Sequence, residues 1–214
     1  TLLISQLPYP PDTGAKIRTF NLIKQLASKH QISLIAYSND NDESKLKGIE
    51  PLCKKILLVK KDKHAKYLEF IFNIFSPTPY IIKKYSSNNL RQAIKSVLAD
   101  EKIELIHCDS LQMSYNLDKI NVPRKVLTEH NIESQIWQRY AQNQTNLLAK
   151  ILLWLQYRKL SVYEFSTCNK FNRCVTVSDI DAQTLIKNGV STEITVVPNG
   201  VDTEYFRDSP TRFA

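Results

Sequence analysis

Glycine is scarce in this chain. Its 214 residues contain 4, where average usage of roughly 7% would give about 15. Neither G-x-G-x-x-G nor G-x-x-x-x-G-K-[ST] can be assembled from Gly14, Gly48, Gly189 and Gly200, which disfavours ordinary dinucleotide and P-loop binding. Cysteine is sparse too. Cys53, Cys108, Cys168 and Cys174 form no C-x-x-C pair, so neither a structural zinc site nor a disulfide framework is expected, and the four read as reduced core thiols. No apolar run approaches the ~18 residues of a membrane span; the longest, Leu147 to Leu155, is broken by Lys150. The opening TLLISQLPYP has no charged n-region and no long h-region, and is not read as a signal peptide. It begins at Thr1 rather than Met, so upstream residues are expected. These absences point to a reduced, cytoplasmic protein.

What is present suits a folded protein. The chain is 43% hydrophobic and 23% charged, which is globular composition, and its length suits one large domain or two small ones. The formal net charge is +8 and is unevenly spread. Glu43 to Lys66 holds eight Lys against three acidic residues, and a second basic stretch runs from Lys83 to Lys102. Such stretches suit nucleic acid, anionic lipid or phosphorylated ligands; a solvated lysine face is the plainer alternative. Residues 64–85 interleave lysines with Phe70, Phe72, Phe75, Tyr80 and Tyr85. That mixture reads as a membrane-surface element, a stacking surface for nucleic acid, or a core helix with a lysine rim.

Two kinds of segment alternate along the chain. Short β-rich runs occupy Leu2–Leu7, Ile32–Tyr37, Ile56–Val59, Ile103–Cys108, Lys125–Thr128, Cys174–Ser178 and Ile194–Val197. Several are apolar almost throughout, as buried parallel strands should be. Helical patterns lie between them, at Ile17–Ser28, Ser44–Cys53, Ala65–Phe75, Asn88–Ala99, Ile132–Gln142, Asn146–Phe171 and Asp179–Lys187. In the first, Ile17, Phe20, Ile23 and Ala27 fall on one helix face. Ser178 or Asp179 is placed to cap the last, with Gly189 closing it. The alternation predicts an α/β fold, a doubly wound parallel sheet with helices on both faces. A boundary signal, Pro198-Asn199-Gly200, follows the last strand.

In doubly wound sheets ligands bind beyond the carboxyl ends of the strands, and four such ends carry chemistry. After the first strand a proline-rich loop leads through Asp12-Thr13-Gly14 into a helix bearing Lys16 and Arg18. Helix N-termini with free N–H groups attract anions; alternatively Gly14 only eases a turn. The run Thr128-Glu129-His130-Asn131-Ile132-Glu133 places an imidazole where it can donate to a substrate oxygen or act as acid or base, or serve structure alone. His130 and Glu133 lack a recognisable third metal ligand, so no metal is expected. His107-Cys108 suggests a nucleophile pair, but neighbours on a strand point to opposite faces, which favours a structural role. At Val177-Ser178-Asp179, Ser178 either lines the cleft or only caps a helix.

Taken together, these strand ends resemble one family. The loop with Thr13-Gly14 and Arg18 resembles the first loop of retaining GT-B glycosyltransferases of family 4, whose order is strand, P-x-n-G-G-x-x-R, helix. Thr13 stands where that loop carries the first of two adjacent glycines, which limits a phosphate's approach to the backbone. Residues 128–133 resemble the family's strand-end histidine motif, Val175-Thr176-Val177-Ser178 its v-T-V-S-e strand, and Val197-Pro198-Asn199-Gly200-Val201-Asp202 its vPNGVD signature, with Tyr205-Phe206 following. The opening LPYPPDTGAKIRTFNLIKQLA is similar to the bacterial exopolysaccharide-type sugar transferases.

The resemblance implies a Rossmann-like N-terminal half of a GT-B enzyme. Residues 1–198 would be the acceptor-side domain, and 199–214 the linker and start of a C-terminal donor domain. It implies a retaining hexosyltransferase of polysaccharide biosynthesis, using a nucleotide diphosphate sugar as donor substrate and no cofactor, with a saccharide or lipid-linked acceptor. His130 would act at the reacting centre. Thr13, Gly14, Lys16, Arg18, Asn131 and Ser178 would bind substrate, and Asn199, Gly200 and Asp202 would form the hinge. The 1–214 piece alone would be inactive. The basic surface favours a phosphorylated or membrane-borne acceptor, with peripheral contact at the inner face of the membrane, over specific nucleic acid. The alternatives are a nucleotide-sugar epimerase of the same fold and a non-catalytic polyanion-binding module.

Overall fold

The computed structural model describes residues 1–38, 46–60, 66–201 and 203, without the side chains of Lys66 and Tyr67. Among the described residues seven strands form one parallel sheet: β1 (Leu2–Gln6), β2 (Ser33–Ser38), β3 (Lys55–Lys60), β4 (Ile106–Cys108), β5 (Lys125–Glu129), β6 (Arg173–Thr176) and β7 (Glu193–Val196). Their order is β3-β2-β1-β4-β5-β6-β7, the doubly wound arrangement expected from the sequence. The helices are α1 (Gly14–Ala27), α2 (Lys66–Phe72), α3 (Tyr80–Tyr85), α4 (Asn88–Asp100), α5 (Glu133–Asn143), α6 (Leu147–Cys168) and α7 (Asp179–Lys187).

Alternation along the strands sends side chains to two cores, one on each face of the sheet. Leu2 and Ile4 of β1, with Ile35 and Tyr37 of β2, join the larger core under α3, α4, α6 and α7. Leu3, Leu34 and Ala36 face the other way, against Ile23 of α1 and Ile49. The central strands are covered on both faces, which is why their sequences are continuously apolar. Ser178 caps α7, its hydroxyl accepting from the Asp181 amide, and Gly189 closes the helix at φ 86.

Four local expectations differ from the structure. The helix anticipated over Ser44–Cys53 is, in its described part, a 3-10 turn at Glu50–Leu52; Gly48 and Pro51 break the pattern and Pro51 cannot donate to it. Residues 44 and 45 lie outside the described residues, as does Ala65. On α1, Ile17 is exposed while Thr19 and Ile23 are buried, so the inward face is turned away from Ile17. The fourth strand is shorter than Ile103–Cys108. Finally, α3 and a 3-10 helix at Leu111–Leu117 occupy stretches assigned no element. All four cysteines are free, three of them buried and Cys53 half-buried.

Candidate active site

The chain leaves β1 towards β2 on one side and reaches β4 on the other. At this switch point the ends of β1, β4 and β5 surround a cavity of about 210 Å³. The loop after β1 is fixed from outside. Tyr9 packs at 5.7 Å from Phe20, and its ring covers Gly48, where a Cβ would come within 2.3 Å of it. Thr13 then sits extended, its hydroxyl making no cap hydrogen bond, and α1 starts with no acidic residue in its first turn. First-turn N–H groups lack helical partners, so this end of α1 is positive. Lys16, paired with Asp12 at 2.7 Å, adds a cation to the cavity wall.

Opposite α1, Asp109 follows β4 and His130 follows β5. Asp109 is only 5% exposed. Its Oδ2 accepts from the Thr19 hydroxyl at 2.5 Å, while Oδ1 finds no hydrogen-bond partner among the described residues. His130 Nε2 donates to the Asp109 carbonyl at 2.8 Å and lies 3.4 Å from Oδ1. A carbonyl can only accept, so Nε2 carries the proton. Burial works against a charged imidazole, but the Asp109 carboxylate and carbonyl outweigh it and raise the His130 pKa. Asn131 completes this wall, with Gln112 donating to Glu133 at 2.8 Å beside it. Burial pushes the Glu133 carboxyl up, against the pull of His130 and Gln112.

Behind the wall, Glu164 of α6 does the work of an N-cap for α5. Ile132, at the cap position, offers no side-chain acceptor. The fully buried Glu164 carboxylate instead accepts from the Glu133 amide at 2.6 Å, the Ser134 amide at 3.1 Å and the Ser134 hydroxyl. Glu129, also buried, receives among the described residues only the Cys168 thiol at 3.7 Å. Burial, with Cys168, Glu164 and Glu133 nearby, raises its carboxyl well above 4.5. Burial pushes the Glu164 carboxyl up to about 7 as well, with the Ser134 and Glu133 hydrogen bonds pulling it down, so of the two Glu129 is the one that favours the proton.

The residues singled out by sequence divide between two sides of α1. Thr13, Lys16, His130 and Asn131 line the cavity. Gly14 and Arg18 face a separate groove with Asn199 and Gly200. There the Arg18 guanidinium donates to Asn199 Oδ1 at 2.6 Å and to the Val197 carbonyl at 2.9 Å. Burial lowers the Arg18 pKa, with Asp109 acting the other way. Ser178 lines neither space: besides capping, its hydroxyl donates to Asp181 Oδ2 at 2.6 Å. Asp202, Tyr205 and Phe206 lie outside the described residues. Cys108 enters the larger core and donates to the Ser110 carbonyl at 3.2 Å, while His107 meets Thr128 Oγ1 at 2.7 Å; the two form no catalytic pair.

Sequence reasoning passed over Thr19, Asp109, Gln112 and Glu164. Asp109 had a signal, an acid directly after a central strand. Glu164 had another, a carboxylate on the helix face of Leu160 and Cys168.

Three comparisons bear on this geometry. A family model described as Glycosyltransferase Family 4 matches residues 13–205. No curated protein matches the chain. Among solved structures, Arabidopsis thaliana UGT89C1 complexed with UDP-L-rhamnose superposes with a TM-score of 0.52 at 12% identity, covering 92% of this chain and 51% of that one. Phytolacca americana UGT2 complexed with UDP-2fluoro-glucose and pterostilbene gives 0.53 at 8%, covering 97% and 57%. Thermosynechococcus elongatus sucrose-phosphate synthase gives 0.56 at 12%, covering 96% and 91%. The chain thus spans about half the length of the two plant structures, and the likeness to all three is one of fold.

Proposed function

This chain belongs to Glycosyltransferase Family 4, and from that membership we propose that residues 1–198 are the acceptor-side domain of a two-domain sugar transferase, with 199–214 leading into its donor domain. The enzyme moves a hexose from a nucleotide diphosphate sugar to a saccharide or lipid-linked acceptor, retaining the anomeric configuration, on the cytoplasmic side of the membrane. UDP-sugars are the first donors to test, since the two plant fold neighbours are described with them.

One observation carries the reading: His130 is held by Asp109 across a cavity that also receives the acid-free end of α1 and Lys16. Charge builds on the departing diphosphate as the glycosidic bond breaks, and preorganised donors aimed there lower the barrier. The first-turn amides of α1 and Lys16 supply such donors. His130, fixed through Nε2 and with its pKa raised by Asp109, adds positive charge there when protonated, without reorganisation. The Asp109 carboxylate, buried beside the imidazole, holds and orients His130. Arg18, bound to Asn199 and Val197, ties α1 to the linker at the hinge. No step calls for a metal.

The test uses the full-length protein with UDP-hexoses and a lipid-linked or oligosaccharide acceptor, reading product and anomeric configuration by NMR. His130→Ala lowers kcat by about 100-fold or more. A fall of less than about threefold makes His130 structural and overturns its role. Donor turnover by the isolated 1–214 piece overturns the division into domains.

A further inference from the structure

We propose that the outer face of the α5–α6 hairpin, continued by the turn after α2, is a docking surface for an anionic lipid bilayer. Its helical part lies apart from the lysine-rich stretches noted in the sequence, while Phe72 and Phe75 belong to the lysine-and-aromatic stretch 64–85. In the lysine-rich stretches, Lys54 and Lys55 are paired with Glu101 at 3.3 Å and Asp100 at 3.1 Å.

A helix on a soluble domain turns its apolar side inward. The first turns of α6, LLAKILLWL, do not. Leu147 is 70% exposed and Leu148 74%, and Ile151, Trp154 and Leu155 are exposed beyond them on the same side. The Tyr157 ring packs 4.9 Å from that of Trp154. Lys159 extends the surface by donating to the carbonyls of Asn73, Ile74 and Ser76 at 2.7–2.8 Å. This fixes the turn carrying Phe75, 88% exposed, beside the helix, with Phe72 also exposed.

Charge selects the occupant. From Ser134 to Tyr163 the chain carries Arg139, Lys150, Arg158 and Lys159 and no acidic residue. Lys150 and Arg158 are themselves exposed. A protein interface is depleted of charged residues, Lys among them, at its apolar core, whereas Lys150 sits amid the exposed leucines. Leucines, aromatic rings and cations of one sign are instead the composition of a helix lying in the headgroup region of an anionic leaflet. The stems of Lys150 and Arg158 can follow the apolar face while their charges reach lipid phosphate. The inference goes beyond the transferase reading and does not depend on it.

The test is sedimentation of the full-length protein with vesicles of equimolar phosphatidylcholine and phosphatidylglycerol, against phosphatidylcholine alone. Binding is expected to the anionic vesicles only, with a blue shift of tryptophan emission that Trp154→Phe removes. Leu147→Gln, Leu148→Gln and Ile151→Gln together lower binding about tenfold or more, and Lys150→Glu with Arg158→Glu does the same. These positions are exposed, so the variants keep the parent melting temperature. Absence of binding to anionic vesicles at low salt overturns the proposal, as does binding unchanged in the triple variant. So does a self-association that the triple variant abolishes while vesicle binding persists, which would assign the face to a second copy of the chain.

Discussion

Replacing Glu164 by Ala tests the cap that one helix supplies to another. The substitution strands three donors, the Glu133 amide, the Ser134 amide and the Ser134 hydroxyl. An ordinary N-cap is worth about 1 kcal/mol, and each hydrogen bond to a charged group about 1.5–3 kcal/mol net. Loss of all three would exceed the cap value several-fold, but removing a carboxylate that burial has already pushed up gives part of that back. A net cost of about 3 kcal/mol results. At ~2–4 °C per kcal/mol for a chain of this size, the melting temperature falls by about 6–12 °C. Circular dichroism melts read this directly. Hydrogen exchange at the Glu133 and Ser134 amides localises it, since they should lose protection before the strands do. Glu164→Gln, which keeps the shape and one acceptor, costs less than half as much. A cost for Glu164→Ala below about 1 kcal/mol, within the range of a surface cap, would refute the assignment.

Two further predictions concern titration. Glu129 has its carboxyl raised well above 4.5, by burial first and then by Cys168, Glu164 and Glu133. The folded chain keeps a proton there that the unfolded chain sheds, so this contribution is full below the unfolded pKa and is lost as pH rises towards the folded one. Glu129→Gln should therefore gain in melting temperature over the parent progressively as pH rises above the ordinary carboxylate range; a gap independent of pH counts against it. Asp109→Asn removes the carboxylate that outweighs burial at His130, so the imidazole pKa, read by NMR titration, should drop below its ordinary 6.5. An unchanged His130 titration would show that the Asp109 carboxylate does not govern it.

The sheet was legible because its strands are buried on both faces: Leu2–Gln6 and Ser33–Ser38 have no solvent side to interrupt the apolar run. The cap and stop of α7 were legible because Ser178 and Gly189 act locally. The shortfalls are of another kind. Tyr80–Tyr85, at six residues, is too short to show helical period. The turn around Gly48 and Pro51 is also held by close approach to Tyr9, a contact distant in sequence. The loop residues were grouped by proximity in sequence, yet about 100° of rotation per residue separates neighbours on a helix. Gly14 and Arg18 therefore leave the side on which Lys16 and Thr19 sit. Glu164 lies 31 residues from the amide it caps, a distance that no local pattern spans.

Helix α1 is a wall of two spaces at once. Thr19 binds Asp109 on one side and Arg18 grips Asn199 on the other. Mechanically it is a shaft with a crank on each side. A pull on residues 197–199 through Arg18 would be a torque about the helix axis, and a roll of ~10° moves atoms at the ~5 Å helix surface by about 1 Å. Catalytic constellations tolerate displacements of ~0.5 Å. Adjacent residues of one helix thus join the segment after β7 to the carboxylate that raises the His130 pKa.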